Sequence, residues 1–167
     1  MSTLKVLVYP HKGLREVAPI VTSFDKNLQQ TVEQLFDTMY AGQGCGLAAT
    51  QVGILSRIFV MDISDDQNQP QCFINPVITA KEGEVESAEG CLSFPGIFGY
   101  VKRAKQVTMQ YQNEHGETLT LTADGLAAHC IQHESDHLNG ILFIDYLSKL
   151  KRTLLLKKME KLQRVAS

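Results

Sequence analysis

The sequence predicts an α+β fold, in which mostly antiparallel sheets pack around a central helix, with an N-terminal and a C-terminal helix. Segments with strand-like patterns outnumber helical ones, and the two kinds do not alternate as they do in βαβ folds. The length of 167 residues and a hydrophobic content of 44% suffice for one core of ordinary size. We therefore expect residues 1–167 to form a single domain.

The first predicted element is an amphipathic helix between Asp25 and Tyr40. Apolar side chains recur there at spacings of three and four residues, and Ser23 or Asp25 could cap its start. These apolar residues are Leu28, Val32, Leu35, Phe36 and Met39. The three glycines in the following segment, 42–49, indicate a loop or a bent strand whose backbone approaches a neighbour closely.

Strands are predicted in the middle of the chain. The apolar, β-branched run Arg57–Ile63 is typical of a buried strand, and Phe73–Ile78 could be another that Pro76 confines to an edge or a bend. The segments Gln106–Gln112 and Thr118–Thr122 alternate in side-chain character on either side of a polar turn. That pattern predicts a β-hairpin.

The spacing of apolar residues becomes helical again in the last third of the chain. A helix is predicted over Asp124–Asn139, with Asp124 as a candidate N-cap and Gly140 ending it. A final helix is predicted over Leu147–Ala166. We expect the Asp124–Asn139 helix to be the core of the fold.

The charge balance and the cysteines limit the classes of function. Sixteen basic and eighteen acidic residues give a net charge of -2, too balanced for the whole surface to attract nucleic acid or a membrane. No hydrophobic segment is long enough for a signal peptide or a membrane span, so we expect a cytoplasmic protein. The four cysteines are widely spaced without a CxxC pair, which favours reduced thiols with a functional role.

An HExxH motif, residues 133–137, lies inside the Asp124–Asn139 helix. Residues four apart share one face of a helix, so the rings of His133 and His137 could bind one cation with Glu134 beside its water. A bound cation lowers the pKa of its water to roughly 7, and a nearby carboxylate can then take and return a proton. The alternative is that these side chains lie on an exposed helix face and have no role in metal binding or catalysis.

A catalytic site of this kind usually needs a third protein ligand. In one protease class the ligand position would fall on Phe143, which cannot coordinate, and a downstream glutamate could only be Glu160 on the basic last helix. Cys91 is the stronger candidate, because a thiolate is a strong ligand for zinc or ferrous iron. Composition alone would favour a buried structural cysteine there.

Three motifs together resemble those of the peptide deformylase family. They are Gly44-Cys45-Gly46-Leu47-Ala48-Ala49-Thr50-Gln51, Glu89-Gly90-Cys91-Leu92-Ser93 and Gln132-His133-Glu134-Ser135-Asp136-His137-Leu138. Their order and separation also match, and the resemblance covers nearly the whole chain. It implies an enzyme that removes the N-formyl group from the N-terminal methionine of nascent polypeptides.

The resemblance also implies roles for individual residues. Cys91, His133 and His137 would hold one divalent metal ion, and Glu134 would deprotonate the attacking water and later protonate the departing amine. The side-chain amide of Gln51 and the backbone NH of Leu92 would stabilise the oxyanion. The donor set alone suits Zn²⁺, Fe²⁺, Co²⁺ or Ni²⁺, and the resemblance favours Fe²⁺ in cells.

The substrate peptide is expected to lie extended, paired with strand-like segments around Gly46 and after Pro95. Side chains after the first methionine would then contribute little to binding. We expect the substrate-binding residues to be Gly46, Cys45, Gly90, Phe98, Leu126, His129 and Cys130.

The chain departs from the family pattern in the predicted methionine pocket. His129 and Cys45 stand where aliphatic side chains are common, and the segment 96–100 lacks an arginine that some members have. His129 could be imagined as a ligand with His133, but His129 and His137 are about 12 Å apart along a helix. We expect a pocket-lining or hydrogen-bonded His129, or else an ordinary core histidine, and an altered preference for methionine.

The last helix is strongly basic. From Lys149 to Ser167 there are seven basic residues and one acid, so this segment carries +6 and the remainder -8. Such a helix could dock on ribosomal RNA through phosphate contacts, or it could be an ordinary solvated face packed by its leucines. We expect a monomer with formylmethionyl peptides as substrates and no membrane partner.

Two other classes of function remain open from the residues. A metalloprotease is disfavoured by Phe143 and by the absence of an export signal. A catalytically silent metal-binding module is disfavoured by Glu134 and Gln51, since a structural site needs neither a base nor an oxyanion donor.

Overall fold

Two antiparallel sheets make up the β-structure of the computed structural model, which describes residues 2–166. The strands are β1 (Gly46–Ala48), β2 (Ile58–Met61), β3 (Gln71–Glu82), β4 (Val85–Cys91), β5 (Phe94–Arg103), β6 (Gln106–Gln112) and β7 (Thr118–Asp124). The larger sheet has the order β1-β2-β3-β6-β7, and β4 pairs with β5 in a separate hairpin. The predicted α+β class with antiparallel sheets is confirmed.

The helices lie where the periodicity predicts them. They are α1 (Lys26–Ala41), α2 (Gly125–Leu138) and α3 (Lys149–Ala166), with 3₁₀ turns at Lys12–Arg15, Ala49–Val52 and Phe143–Tyr146. Asp25 caps α1, since its carboxylate accepts a hydrogen bond from the backbone N–H of Leu28 at 3.0 Å. Asp124 is the N-cap residue of α2, as predicted, although its side chain makes no capping hydrogen bond within the described part of the chain. Asp124 also ends β7, where it pairs with Gln106.

The helix α2 is the central element, as predicted. Nine of its fourteen residues are buried. Ile131 and Leu138 pack with Phe59, Phe73 and Met109 of the larger sheet. A second cluster joins β5 to the 3₁₀ turn Phe143–Tyr146 and to α3, and a third places α1 against β1 and β2.

The strand β3 includes the predicted segment Phe73–Ile78 and extends beyond it at both ends. Of the two predicted alternatives, an edge strand or a bend, the first is excluded because β3 is the middle strand of the five-stranded sheet. The expected bend at Pro76 is present, because the pairing of β3 with β6 shifts between Ile74 and Val77. Asn75 takes a positive φ of 50° there, and the missing N–H of Pro76 falls where the ladder is already interrupted.

The β4–β5 hairpin has no counterpart among the predicted elements, and it is the part of the fold that supplies Cys91. Its pairing is irregular between Glu89 and Cys91, so that Cys91 faces Phe94 after a shift in register. Such a bulge redirects the side chains that follow it. Among residues 2–166, none of the helices is both long enough and apolar enough to cross a membrane.

Candidate metal centre

Three potential ligand groups converge between the β4–β5 hairpin and α2. Cys91 ends β4, and His133 and His137 lie one turn apart on α2. Their ligand atoms all lie within 4.8 Å of one another, and the sulfur of Cys91 is 3.4 Å from Nε2 of His137. Because the two rings share one face of the helix, their centroids are only 4.9 Å apart. His129 does not belong to this group of donors.

The chemistry of these donors fits a divalent transition metal. One thiolate and two imidazoles are a donor set that zinc, iron, cobalt and nickel accept, and three protein donors leave a coordination position free. Burial lowers the pKa of His137, which favours the neutral ring that a metal requires. Oε1 of Glu134 is buried beside the cluster and has no hydrogen-bond partner in the structure, as expected for a group that acts on a small molecule there.

The His133 ring is held by a buried carboxylate. Nδ1 of His133 lies 2.8 Å from Oε1 of Glu89, and Arg103 donates to Glu89 from Nε at 2.7 Å and from Nη2 at 2.9 Å. Arg103 also donates to Asp136 at 2.6 Å, and Asp136 accepts the hydroxyl of Tyr146 at 2.7 Å. Burial opposes ionisation of Glu89, but the hydrogen bonds from Arg103 and His133 outweigh it and lower its pKa to about 2. An ionised Glu89 can only accept, so His133 keeps its proton on Nδ1 and presents Nε2 to the cluster.

Glu134 lies next to His133 on α2 and is 4% exposed. Burial, with smaller contributions from the nearby Cys45 and Glu89, raises its pKa to about 7 against the lowering influence of His133 and Arg103. The carboxylate packs against the backbone of Gly46, where an added Cβ would lie 2.6 Å from Oε2 of Glu134. A side chain at position 46 would therefore displace Glu134.

Gln51 places its amide nitrogen at the cluster. Its Oε1 accepts from the backbone N–H of Ala48 at 2.9 Å, which orients the amide. Its Nε2 is 3.1 Å from Oγ of Ser93 and 3.5 Å from the sulfur of Cys91. Leu92 lies between these two residues, in the turn that joins β4 to β5. Gln51 is thus a fixed N–H donor beside the candidate metal ligands.

Two adjoining cavities open onto the cluster and share Cys45, Gly90, His133 and Glu134 in their walls. One has a volume of about 700 Å³, and the other about 410 Å³. Among the residues named from the sequence, the first cavity is lined by Cys45, Gly90, Leu126, His129, Cys130, His133 and Glu134. The second is lined by Cys45, Gly46, Gln51, Gly90, Cys91, Leu92, Phe98, His133 and Glu134. Apart from His137, every site residue named from the sequence therefore lines a cavity.

His129 makes the wall of the larger cavity polar. Its Nε2 is 2.7 Å from Oγ of Ser87 and 3.3 Å from Oε2 of Glu89. Burial lowers the pKa of His129, so the ring is a neutral hydrogen-bonding group. Sequence reasoning did not single out Ser87 or Lys105, which also line this cavity, because the β4–β5 hairpin was not predicted.

Arg103 is another residue that sequence reasoning missed. The sequence pattern that could have identified it is the alternation of buried and exposed residues along β5, in which Ile97, Val101 and Arg103 occupy buried positions. A charged residue in an inward register indicates a buried partner, here Glu89.

An α+β fold around an HExxH helix, with a cysteine from a neighbouring hairpin completing the donor set, defines the chain as a metallohydrolase. The family model of polypeptide deformylases matches residues 3–153. The chain belongs to the polypeptide deformylase family, whose members remove the formyl group from nascent peptides.

Individual peptide deformylases are similar to this chain over almost its full length. A peptide deformylase of Hamiltonella defensa is 48% identical over 99% of this chain and 96% of its own, and one of Neisseria gonorrhoeae is 48% identical over 98% of each. The crystal structure of a peptide deformylase from Legionella pneumophila superposes with a TM-score of 0.96 at 42% identity, covering 99% of this chain and 98% of that one. A Synechococcus elongatus peptide deformylase in complex with actinonin gives a TM-score of 0.90 at 42% identity, covering 93% and 86%.

Proposed function

We propose that this chain hydrolyses the N-formyl group from the N-terminal methionine of nascent polypeptides, with Cys91, His133 and His137 as ligands of one divalent metal ion. Membership of the family and the convergence of the three donors support this proposal. We propose Fe²⁺ as the ion in cells, while Zn²⁺, Ni²⁺ and Co²⁺ suit the same donors. The observation that carries the proposal is the buried, unpartnered carboxylate oxygen of Glu134 beside the cluster.

In this mechanism Glu134 moves the proton. A divalent cation at the cluster would polarise the water and the formyl carbonyl. Glu134 accepts a proton as water attacks the formyl carbon, and it passes the proton to the amine nitrogen when the C–N bond breaks. A pKa near 7, which burial gives this carboxylate, suits a group that must both take and return a proton.

The oxyanion that forms on the formyl oxygen needs donors fixed in advance. We propose Nε2 of Gln51 and the backbone N–H of Leu92 for this role. The bond from Ala48 to the Gln51 oxygen supports it, because it holds the amide in place before the substrate arrives.

The substrate peptide would add a strand in the smaller cavity, between β1 and the start of β5. Within residues 2–166, β1 is an edge strand that pairs with β2 alone, so its other side would be available for pairing with a peptide. Gly46, Gly90 and Phe98 line this groove, and the Phe98 side chain covers Gly90. Recognition through backbone groups would suit an enzyme that accepts many second residues.

The first side chain of the substrate would enter the larger cavity, past Leu126 and Cys130, and would meet the His129–Ser87 pair. An apolar side chain gains nothing from this pair, whereas a side chain with a donor or acceptor could bond to it. We propose that methionine is accepted with weaker selectivity than an aliphatic pocket would give.

We also propose that residues 1–167 act as a single catalytic domain, as a cytoplasmic monomer, and that α3 docks on the ribosome. The exposed basic side chains of α3 support docking, since phosphate contacts need accessible cations. Exposed leucines on the same helix, Leu150 and Leu154 among them, would add apolar contact.

The test is a deformylation assay on protein purified without oxygen and loaded with Fe²⁺. Release of formate from a formylmethionyl peptide is expected, and Glu134→Gln should lower kcat roughly 10²- to 10⁴-fold while the metal content stays the same. The unformylated peptide serves as the control substrate. Cleavage of internal peptide bonds in this control, with no formate released from the formylated peptide, would favour a protease. Full activity of Glu134→Gln would show that Glu134 is not the base.

A further inference from the structure

Two cysteines from different elements meet in the wall of the larger cavity. Cys45, directly before β1, is exposed, and Cys130, on α2, is buried. The Cys130 sulfur is 3.8 Å from the carbonyl oxygen of Cys45, and both residues line the larger cavity. Both residues line the proposed substrate pocket, but neither thiol takes part in the proposed bond-making and proton-transfer steps.

The backbone holds the two thiols together. Gly46 packs so closely on α2 that an added Cβ would lie 2.6 Å from the sulfur of Cys130. The carbonyl of Cys45 accepts from the N–H of Asp62 at 2.9 Å, and the Asp62 carboxylate accepts from Tyr40 at 2.6 Å. Packed secondary structure therefore holds the backbone of Cys45 next to the sulfur of Cys130.

The pair is asymmetric in a way that suits oxidation. The exposed thiol can meet a solute, while the buried one can meet only its neighbour. The hydrogen bond with Cys130 lowers the pKa of Cys45 and raises that of Cys130. A reactive, accessible thiol next to a second thiol is the arrangement found in redox-sensitive cysteine pairs.

We propose that Cys45 and Cys130 form an oxidisable dithiol that a hydroperoxide converts to a disulfide inside the substrate pocket. The Cys45 sulfur attacks the distal oxygen of the hydroperoxide, the O–O bond breaks, and a sulfenic acid and water or an alcohol result. The Cys130 sulfur then attacks the Cys45 sulfur, the S–O bond breaks, water leaves and the S–S bond forms. The hydroperoxide takes up the two electrons that the two thiols lose, and a dithiol reductant reverses the change.

The disulfide would distort the pocket. The S–S bond of a disulfide is about 2.05 Å long, which is shorter than the distance between two unbonded sulfur atoms in contact. The two sulfurs must therefore move towards each other when the bond forms. Gly46 touches both Cys130 and Glu134, so a shift at Cys45 changes the groove and the position of the proposed base together. A displacement of about 1 Å near the reacting groups can cost about 10²-fold in rate. The effect on turnover rests on the proposed deformylase activity, whereas formation of the bond does not.

The test uses full-length protein loaded with Zn²⁺, which is redox-inert and ties up the Cys91 thiol. After exposure to hydrogen peroxide, mass spectrometry should find two hydrogens lost and a peptide containing Cys45 joined to one containing Cys130. The value of kcat/KM for a formylmethionyl peptide should fall about 10- to 100-fold and recover with dithiothreitol. Failure to detect the cross-link would overturn the proposal regardless of activity, and a cross-link with unchanged kcat/KM would overturn its effect on the pocket.

Each variant is compared with its own untreated sample. Cys72→Ala is the matched control, because Cys72 lies on β3 outside both cavities and burial raises the pKa of its thiol to about 12. It should cross-link and lose activity like the wild type. Cys45→Ala, or Cys45→Val if alanine does not fold, should form no cross-link and keep its own activity under peroxide. An equal peroxide loss in this variant would assign the loss to another group and contradict the proposal.

Discussion

Arg103 donates two hydrogen bonds to the carboxylate of Glu89, from Nε at 2.7 Å and from Nη2 at 2.9 Å. The same carboxylate accepts from Nδ1 of His133, and all three side chains are buried. A chain of fixed contacts therefore runs from the hairpin to one candidate metal ligand, and it sets which nitrogen of His133 is free to bind.

Glu89→Gln is expected to weaken metal binding about 10- to 100-fold, because the ring of His133 loses the ionised acceptor that orients it. Zn²⁺ affinity measured by competition with a chelator tests this. Glu86→Gln is the control, since Glu86 is an exposed carboxylate on the same strand. Equal affinities for the two variants would show that Glu89 does not position the ligand.

Gln51→Ala should lower kcat roughly 10²- to 10³-fold, equivalent to about 2.7 to 4 kcal/mol, because the oxyanion loses a fixed donor. KM and metal content should change little, and steady-state kinetics with metal analysis will separate these effects. Gln110→Ala, on an exposed position of β6, is the control. A rise in KM with kcat unchanged would assign Gln51 to ground-state binding instead.

His129→Ile should raise the preference for formylmethionyl over other formyl-aminoacyl peptides, by about 10-fold in the ratio of kcat/KM values. The substitution removes the polar partner of Ser87 and gives the cavity an aliphatic wall. Competition between peptides that differ only in the first residue measures this ratio. Identical selectivity in wild type and variant would contradict the proposal that His129 weakens the preference for methionine.

Neutralising three exposed lysines of α3 should weaken binding to ribosomes and make it less dependent on salt, because fewer phosphate contacts form. The variant replaces Lys157, Lys158 and Lys161 with glutamine. The control makes the same replacement at Lys26, Lys81 and Lys102, which are exposed and lie outside α3. Cosedimentation over a range of salt concentrations is the measurement. Truncation at Ser148 is a poorer test, since Met159 of α3 is 4% exposed and packs in the core. Equal loss in both triple variants would argue against docking through α3.

Periodicity predicted the elements that bury one apolar face. α1 and α2 repeat apolar residues at helical spacing, and β6 and β7 alternate around a turn. These local patterns follow from burial and do not depend on distant parts of the chain. The proximity of His133 and His137 in the HExxH motif could also be predicted, because residues four apart on one helix lie on the same face.

The β4–β5 hairpin escaped prediction because its pattern is weak. Gly90, Gly96 and Gly99 interrupt it, and its inward positions include the charged residues Glu89 and Arg103. Those charges are compensated by each other across the hairpin and by His133 and Asp136 of α2. Such pairing depends on the tertiary structure, and for the same reason no sequence pattern links Glu89 to His133.

The most direct test of the account is X-ray absorption spectroscopy of the Zn²⁺-loaded protein. Coordination by Cys91, His133 and His137 predicts one sulfur at about 2.3 Å and two imidazole nitrogens at about 2.0–2.1 Å. Cys91→Ser should lose the sulfur shell alone. A wild-type spectrum without sulfur, or with the sulfur retained in Cys91→Ser, would contradict the proposed metal centre.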